Sequence, residues 1–401
     1  MRIAVFHNLP SGGAKRALYT FVKYLKSVGH QIDVHVPSTA DESYLPLQGL
    51  VDGFHVYPVR RTMAGVLSSS FRYFLPTYAS SLLADLKRTQ ERIAKEINGG
   101  PYDVVFAEQD QYTGAPFVLR YLKKPTVYFC QQPCPSGEAV PKSLARAQQS
   151  METLPTYKKL WRAHVKSRLP KIDKENAAYA KYILANSYFS RESIVRAYGL
   201  NSYVSYLGID TDLFRPMALP KENFVLSVGS CGPPKGHDFA IRALSFLGKQ
   251  ERPKMVIVGN TADPAWEAYL VQLAAGLGVD LAIKKLIPDS ELVHLYNTAK
   301  VFVYSTILEP FGLAPVEAMA CGTPVVAVKE GGVRESVVAN ETGFLTDRDE
   351  ETFAAALREL SQNDRLREQM GARGVEVVEN FWTLEQAGAR LAAHLNRAAK
   401  L

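Results

Sequence analysis

Two separate series of β-branched and aromatic runs, each run followed by a loop and an amphipathic helical stretch, restrict this chain more than any other feature. The first series opens with Arg2 to Phe6, a helix from about Lys15 to Val28, and Ile32 to Val36. Further strand candidates are Asp103 to Phe106, Thr126 to Phe129 and Tyr182 to Ala185, with helical stretches such as Leu82 to Ile97 and Ser190 to Tyr198 between them. After Gly208 the chain runs through a proline-rich polar segment to Pro220, and a second series follows at Phe224 to Val228, Met255 to Val258, Val301 to Tyr304 and Val325 to Val328. Strands that alternate with helices pair in parallel, and a sheet covered by helices on both faces results. A chain of 401 residues also exceeds what one hydrophobic core supports. The expected class is α/β: two Rossmann-like domains with parallel sheets facing a central cleft. The expected divisions are 1–207, a linker at 208–223, and 224–383, with a closing helix at about 384–401 packing back on the first domain.

In open parallel sheets, ligands bind beyond the carboxyl ends of the strands. The loops in that position are Asn8 to Gly13, Gln131 to Ser136, Ser230 to Gly236 and Glu309 to Ala314. The last is the richest, because Glu309-Pro310-Phe311-Gly312-Leu313-Ala314-Pro315-Val316-Glu317 sets two carboxylates eight positions apart around a glycine turn that opens a helix. Pro315 suits the first helical turn, where no backbone donor is needed, so the N–H groups of Phe311, Gly312, Leu313 and Ala314 are expected to point outward. Such donors, with the positive helix end, suit a diphosphate or sugar hydroxyls. In the loop Gly229-Ser230-Cys231-Gly232-Pro233-Pro234-Lys235-Gly236, Lys235 stands at a helix start and can neutralise a diphosphate. Gly12 and Gly13 after the first strand allow close backbone approach to a phosphate or sugar. The full Gly-x-Gly-x-x-Gly fingerprint and the acidic ribose grip of a dinucleotide dehydrogenase are missing there.

Bulk properties exclude several classes. No stretch approaches the roughly 18 to 20 apolar residues of a membrane span, and the N-terminus reads as a strand rather than a signal peptide. Cytoplasmic location is the expectation. Cys130, Cys134, Cys231 and Cys321 lie far apart, which reads as reduced structural thiols. No histidine spacing supports a metal site, so no metal and no cofactor is expected. Net charge is +7, divided as +12 over residues 1–199 (27 Lys and Arg against 15 Asp and Glu) and −5 over the remainder. The basic half is either a solvated face or a surface for an acidic partner such as an anionic membrane.

The residues also carry a specific resemblance. Glu309-Pro310-Phe311-Gly312, Glu317-Ala318-Met319-Ala320-Cys321-Gly322-Thr323-Pro324, Gly331-Gly332, Glu335 and Thr342-Gly343 resemble the retaining glycosyltransferases of family 4, which have the GT-B fold. Gly12-Gly13, Gly208-Ile209-Asp210, Lys235-Gly236 and Phe381-Trp382 fall in the same order, so the resemblance spans nearly the whole chain. It implies a nucleotide-diphosphate sugar donor held by Gly12, Gly13, Ser230, Lys235, Ile287, Glu309, Phe311, Gly312, Leu313, Ala314 and Glu317. Glu309 would lie against the donor sugar, Glu317 would accept from the ribose, and Glu309, Lys235 and Gln131 would be the catalytic set. Two positions depart from the family pattern. Ser230 replaces an arginine, which weakens the diphosphate clamp or moves its work to backbone N–H groups. Gln131 replaces a histidine and cannot exchange a proton near neutral pH. Asp210-Thr211-Asp212 looks like a metal motif but lies in the linker of a metal-independent family. The implied reaction is metal-free, front-face transfer in which the leaving phosphate takes the acceptor proton. A sugar-nucleotide 2-epimerase and a silent binding protein are the alternatives.

The acceptor, a glycan or glycolipid rather than nucleic acid, is expected on the N-terminal domain. Met63 to Leu83 carries Phe71, Tyr73, Phe74 and Tyr78, which stack on sugars, meet lipid, or pack in the core. Lys158 to Leu169 sets Lys158, Arg162 and Lys166 beside Trp161, Val165 and Leu169, a basic amphipathic helix for an anionic membrane or a core border.

Overall fold

The computed structural model describes residues 1–59, 75–134 and 168–401. Phe71, Tyr73, Phe74, the side chain of Tyr78, and the basic helix positions Lys158, Trp161, Arg162, Val165 and Lys166 lie outside the described residues. The described chain forms two compact units, one from residues up to Cys134, 168–206 and Ala387–Leu401, the other from Leu207–Gln386.

Unit 1 is built on a parallel sheet of β1 (Arg2–Asn8), β2 (Gln31–Pro37), β3 (Gly53–Tyr57), β4 (Val104–Asp110), β5 (Thr126–Cys130), β6 (Tyr182–Ala185) and β7 (Tyr203–Val204). The spatial order is β3-β2-β1-β4-β5-β6-β7, so the winding reverses between β1 and β4. The Gly13–Ser27 helix buries Ala17, Leu18, Phe21, Val22 and Leu25 at helical spacing. Phe21 meets Phe106 of β4 and Phe129 of β5 with ring centroids 6.2 and 5.5 Å apart. Each such fully buried phenylalanine stabilises the sheet-to-helix seam by about 1.5–3 kcal/mol. The Leu384–Ala398 helix starts in unit 2 and joins unit 1 from Ala387 on. There Gly388 leaves only 2.1 Å between a hypothetical Cβ and Tyr24 Cγ, and His394 Nδ1 lies 2.8 Å from the Tyr182 hydroxyl.

Unit 2 has β8 (Glu222–Val228), β9 (Lys254–Gly259), β10 (Leu281–Lys285), β11 (Ala299–Tyr304), β12 (Val325–Val328) and β13 (Gly343–Thr346). Their order is β10-β9-β8-β11-β12-β13, all parallel, with the reversal between β8 and β11. Both units thus place a ligand crevice beside the reversal, at the carboxyl ends of the two central strands. Strand β4 extends to Asp110, further than the four residues read from the pattern. Four strands, β3, β7, β10 and β13, stand outside the two expected series of strands: β10 and β3 are partly exposed edges, β7 has two residues, and β13 begins with a glycine.

Candidate active site

In unit 2 the loops after β8 and β11 meet at the reversal point. The lysine stem of Lys235 lies over Gly229, where a Cβ would sit 3.2 Å from Lys235 Cδ. Gly236 turns the chain with φ 64, and a Cβ there would be 2.3 Å from the Ser305 carbonyl oxygen, so only glycine allows this approach. Lys235 Nζ then reaches Glu309 Oε2 at 2.7 Å, with the two side chains 21 % and 30 % exposed. A pair this open to water adds at most about 1 kcal/mol to stability. Its value is positional: a cation and a carboxylate stand together at the strand ends.

Glu309 is braced from beneath. Gly332 N donates to the Glu309 carbonyl at 2.8 Å, and at Gly331 (φ 68) a Cβ would meet Glu309 O at 2.3 Å. Gly312, with φ 91, comes close enough that a Cβ would be 2.9 Å from the Tyr304 hydroxyl. Phe311 is buried against Trp382, its ring centroid 5.4 Å away. Leu313 and Ala314 are half-buried at the start of the Leu313–Ala320 helix. Glu317, one helical turn on, is only 4 % exposed, and its Oε2 accepts from the Tyr296 hydroxyl at 2.7 Å. A ribose reaching this carboxylate must share it with Tyr296, a partner the sequence motif does not announce.

Around these groups, Ser230 is exposed, and its loop is tied to the next one by Cys231 N to Thr261 O at 2.8 Å. Ile287 is half-buried beside Leu286, which is 75 % exposed at φ 53, a rare backbone state for a leucine. His237 is buried, and desolvation followed by the nearby Lys235 charge pulls its pKa down to about 3, so it stays neutral. Asp210 is occupied locally: its carboxylate accepts from Asp212 N at 3.2 Å and its carbonyl from Phe214 N at 2.9 Å. Among the described residues no group of three or more His, Cys, Asp or Glu could hold a metal ion.

Unit 1 has its own buried polar layer at the strand ends. Gly12, at φ 144, precedes the helix that Gly13 begins, and three residues into that turn the Lys15 side chain is fully buried. It pairs with Glu42, whose Oε1 is also 3.0 Å from His7 Nε2. Burial pulls His7 down to about 4 and also lowers Lys15. At the adjacent strand end Asp110 accepts from Asn8 Nδ2 at 2.8 Å and from Gln90 Nε2 at 2.7 Å. Gln131 follows β5, donates to Glu108 Oε1 at 3.1 Å, and accepts from Asn186 Nδ2 at 3.0 Å. Glu108 is wholly buried, and desolvation pushes its carboxyl up to about 8. Among the described residues Glu108 is thus the titratable neighbour of Gln131 in this network, and a lone glutamate near the end of a strand has no spacing to mark it.

Comparisons with known proteins agree on the kind of molecule. Residues 210–377 match the model of Glycosyl transferases group 1, and residues 11–213 match that of Glycosyltransferase Family 4. D-inositol 3-phosphate glycosyltransferase of Corynebacterium diphtheriae is 31 % identical over 55 % of this chain and 57 % of that protein. The Thermobifida fusca protein of the same name is 33 % identical over 49 % of this chain and 51 % of its own. The chain therefore spans about half the length of the curated relatives it matches. The solved structure of Anabaena HepE in complex with UDP-glucose superimposes with a TM-score of 0.70 at 20 % identity, covering 99 % of this chain and 100 % of that one. A likeness at this identity speaks for the fold, which is GT-B. Taken with the family model that spans half of its residues, these findings make the chain a member of Glycosyltransferase Family 4.

Proposed function

We propose that this protein is a retaining glycosyltransferase that moves a sugar from a nucleotide-diphosphate donor to an acceptor hydroxyl, without a metal ion. The observation that carries the reading is the Lys235–Glu309 pair at the β8/β11 reversal, where a parallel sheet receives its ligand. In this reading the donor diphosphate takes Lys235 from Glu309, and the freed carboxylate turns to the sugar hydroxyls. Lys235 offsets the charge that grows on the leaving diphosphate, and the N-terminal donors of the Leu313–Ala320 helix add to it. The departing phosphate oxygen accepts the proton of the acceptor hydroxyl on the same sugar face. Gln131, in unit 1, exchanges no proton near neutral pH. The relatives are named for D-inositol 3-phosphate, and HepE was solved with UDP-glucose, so a polyol phosphate and a uridine diphosphate sugar are the first acceptor and donor to try. The protein would act in the cytoplasm, with peripheral contact to an anionic membrane if the acceptor is a glycolipid. Among the described residues no helix is long and apolar enough to cross a membrane.

The test is incubation with a panel of sugar nucleotides, with and without chelator, following release of nucleoside diphosphate and the anomeric configuration of the product. Glu309→Gln should lower kcat strongly with a modest effect on donor binding. Turnover of no donor, or an inverted product, would refute the reading.

A further inference from the structure

Arg348 follows β13 by two residues, just before Asp349 caps the Glu350–Gln362 helix through Thr352 N at 2.8 Å. Its side chain is 14 % exposed and its guanidinium almost fully engaged. Nε and Nη2 form a two-pronged pair with Glu330 at 2.9 and 2.8 Å, and Nη1 donates to the Ser305 carbonyl at 3.0 Å. Nη2 also lies 3.4 Å from the Thr306 carbonyl, and the guanidinium carbon stands 5.3 Å from the centre of the Phe239 ring. One side chain therefore joins the loops after β11, β12 and β13 and the first helix after β8.

Two arms lead from it to the donor pair. Along the first, Ser305 Oγ donates to the carbonyls of Gly236 at 2.8 Å and Lys235 at 3.2 Å, fixing the backbone from which the Lys235 side chain extends. Along the second, Glu330 begins the Glu330-Gly331-Gly332 segment that presses on Glu309, with Gly332 N on the Glu309 carbonyl at 2.8 Å. We infer that Arg348 is a positioning residue for the donor site: its fork sets the relative placement of Lys235 and Glu309 by tying together the loops that carry them. A lysine keeps the charge but has no planar fork and cannot serve both arms. Groups misplaced by about 1 Å can lose on the order of a hundredfold in rate.

The inference rests on the donor-site reading above, and the experiment separates the two. Wild type, Arg348→Met, Arg348→Lys and Glu330→Gln are assayed for donor turnover well below their unfolding midpoints, with rates normalised to folded protein by circular dichroism. Arg348→Met and Arg348→Lys should each lower kcat by about tenfold or more, with donor KM changing much less. Glu330→Gln, which weakens one arm and keeps the Ser305 arm, should fall between them and wild type. Wild-type kcat per folded molecule in Arg348→Met, or full rescue by Arg348→Lys, would overturn the positioning role while leaving the donor site intact. If Arg348→Met does not fold, the other two variants carry the comparison. A wild-type chain that turns over no donor overturns the donor reading and this inference with it.

Discussion

The amide of Gln131 donates to a carboxyl, Glu108, that has no exposed surface. The carboxyl ionises at about 8 in the folded unit against 4.5 for an unperturbed glutamate, because burial penalises its charge. Between those values the folded chain holds one proton that the unfolded chain has released. The contribution of Glu108 is fully present below the unfolded value and is lost as pH rises through the folded one, at about 1.4 kcal/mol per pH unit. Urea unfolding near pH 5.5 and near pH 7.5 should therefore show wild type losing a few kcal/mol, on the order of 1 per pH unit, more than Glu108→Gln. Equal losses in both proteins would contradict a neutral Glu108.

Lys235→Met removes the cation and leaves Glu309, which is 30 % exposed, in contact with water. Stability should change by less than about 1 kcal/mol, whereas affinity for a nucleoside diphosphate should drop by about 1.5–3 kcal/mol, roughly 10- to 150-fold. Isothermal titration with uridine diphosphate reads this directly. Undiminished affinity would remove Lys235 from the diphosphate site.

A methyl group at Gly331 would have to occupy φ 68 and lie 2.3 Å from the Glu309 carbonyl oxygen. Gly331→Ala should cost about 2 kcal/mol or more and displace Glu309, giving a lower unfolding midpoint together with a lower kcat. A variant with a wild-type midpoint would show that the loop relaxes freely.

Tyr296→Phe deletes the hydroxyl that donates to Glu317 Oε2 at 2.7 Å while leaving a 4 % exposed carboxylate in place. The loss should be about 1–3 kcal/mol of unfolding free energy, and bound nucleotide should restore part of it by supplying ribose hydroxyls. Differential scanning calorimetry with and without uridine diphosphate checks both halves. A shift on ligand addition smaller than that of wild type would argue against Glu317 as a ribose contact.

The two-sheet architecture and the Lys235–Glu309 meeting were legible because both follow from local rules: strand periodicity, glycine at tight turns, and the strand-end location of ligands in parallel sheets. Strands β10 and β13 escaped because their residues are mixed or few, and their partners β9 and β12 select them only in three dimensions. Arg348 and Tyr296 escaped for a related reason. Their partners lie 18 and 21 positions away on other elements, at separations set by the sheet crossovers rather than by any helix or strand period. Glu108 is legible only once burial is known, since exposure alone decides whether a glutamate within a strand is a solvated charge or a neutral acid.

The Leu384–Ala398 helix brings residues from the far side of unit 2 in sequence to complete unit 1. A ribosome releases Gly388 and His394 only after all of unit 2 has emerged, so the sides of Tyr24 and Tyr182 that meet this helix wait for it until then. Vectorial synthesis therefore finishes the second unit before the first is sealed. The seam at Tyr24 and Tyr182 is therefore the last part of unit 1 to close as the chain is made.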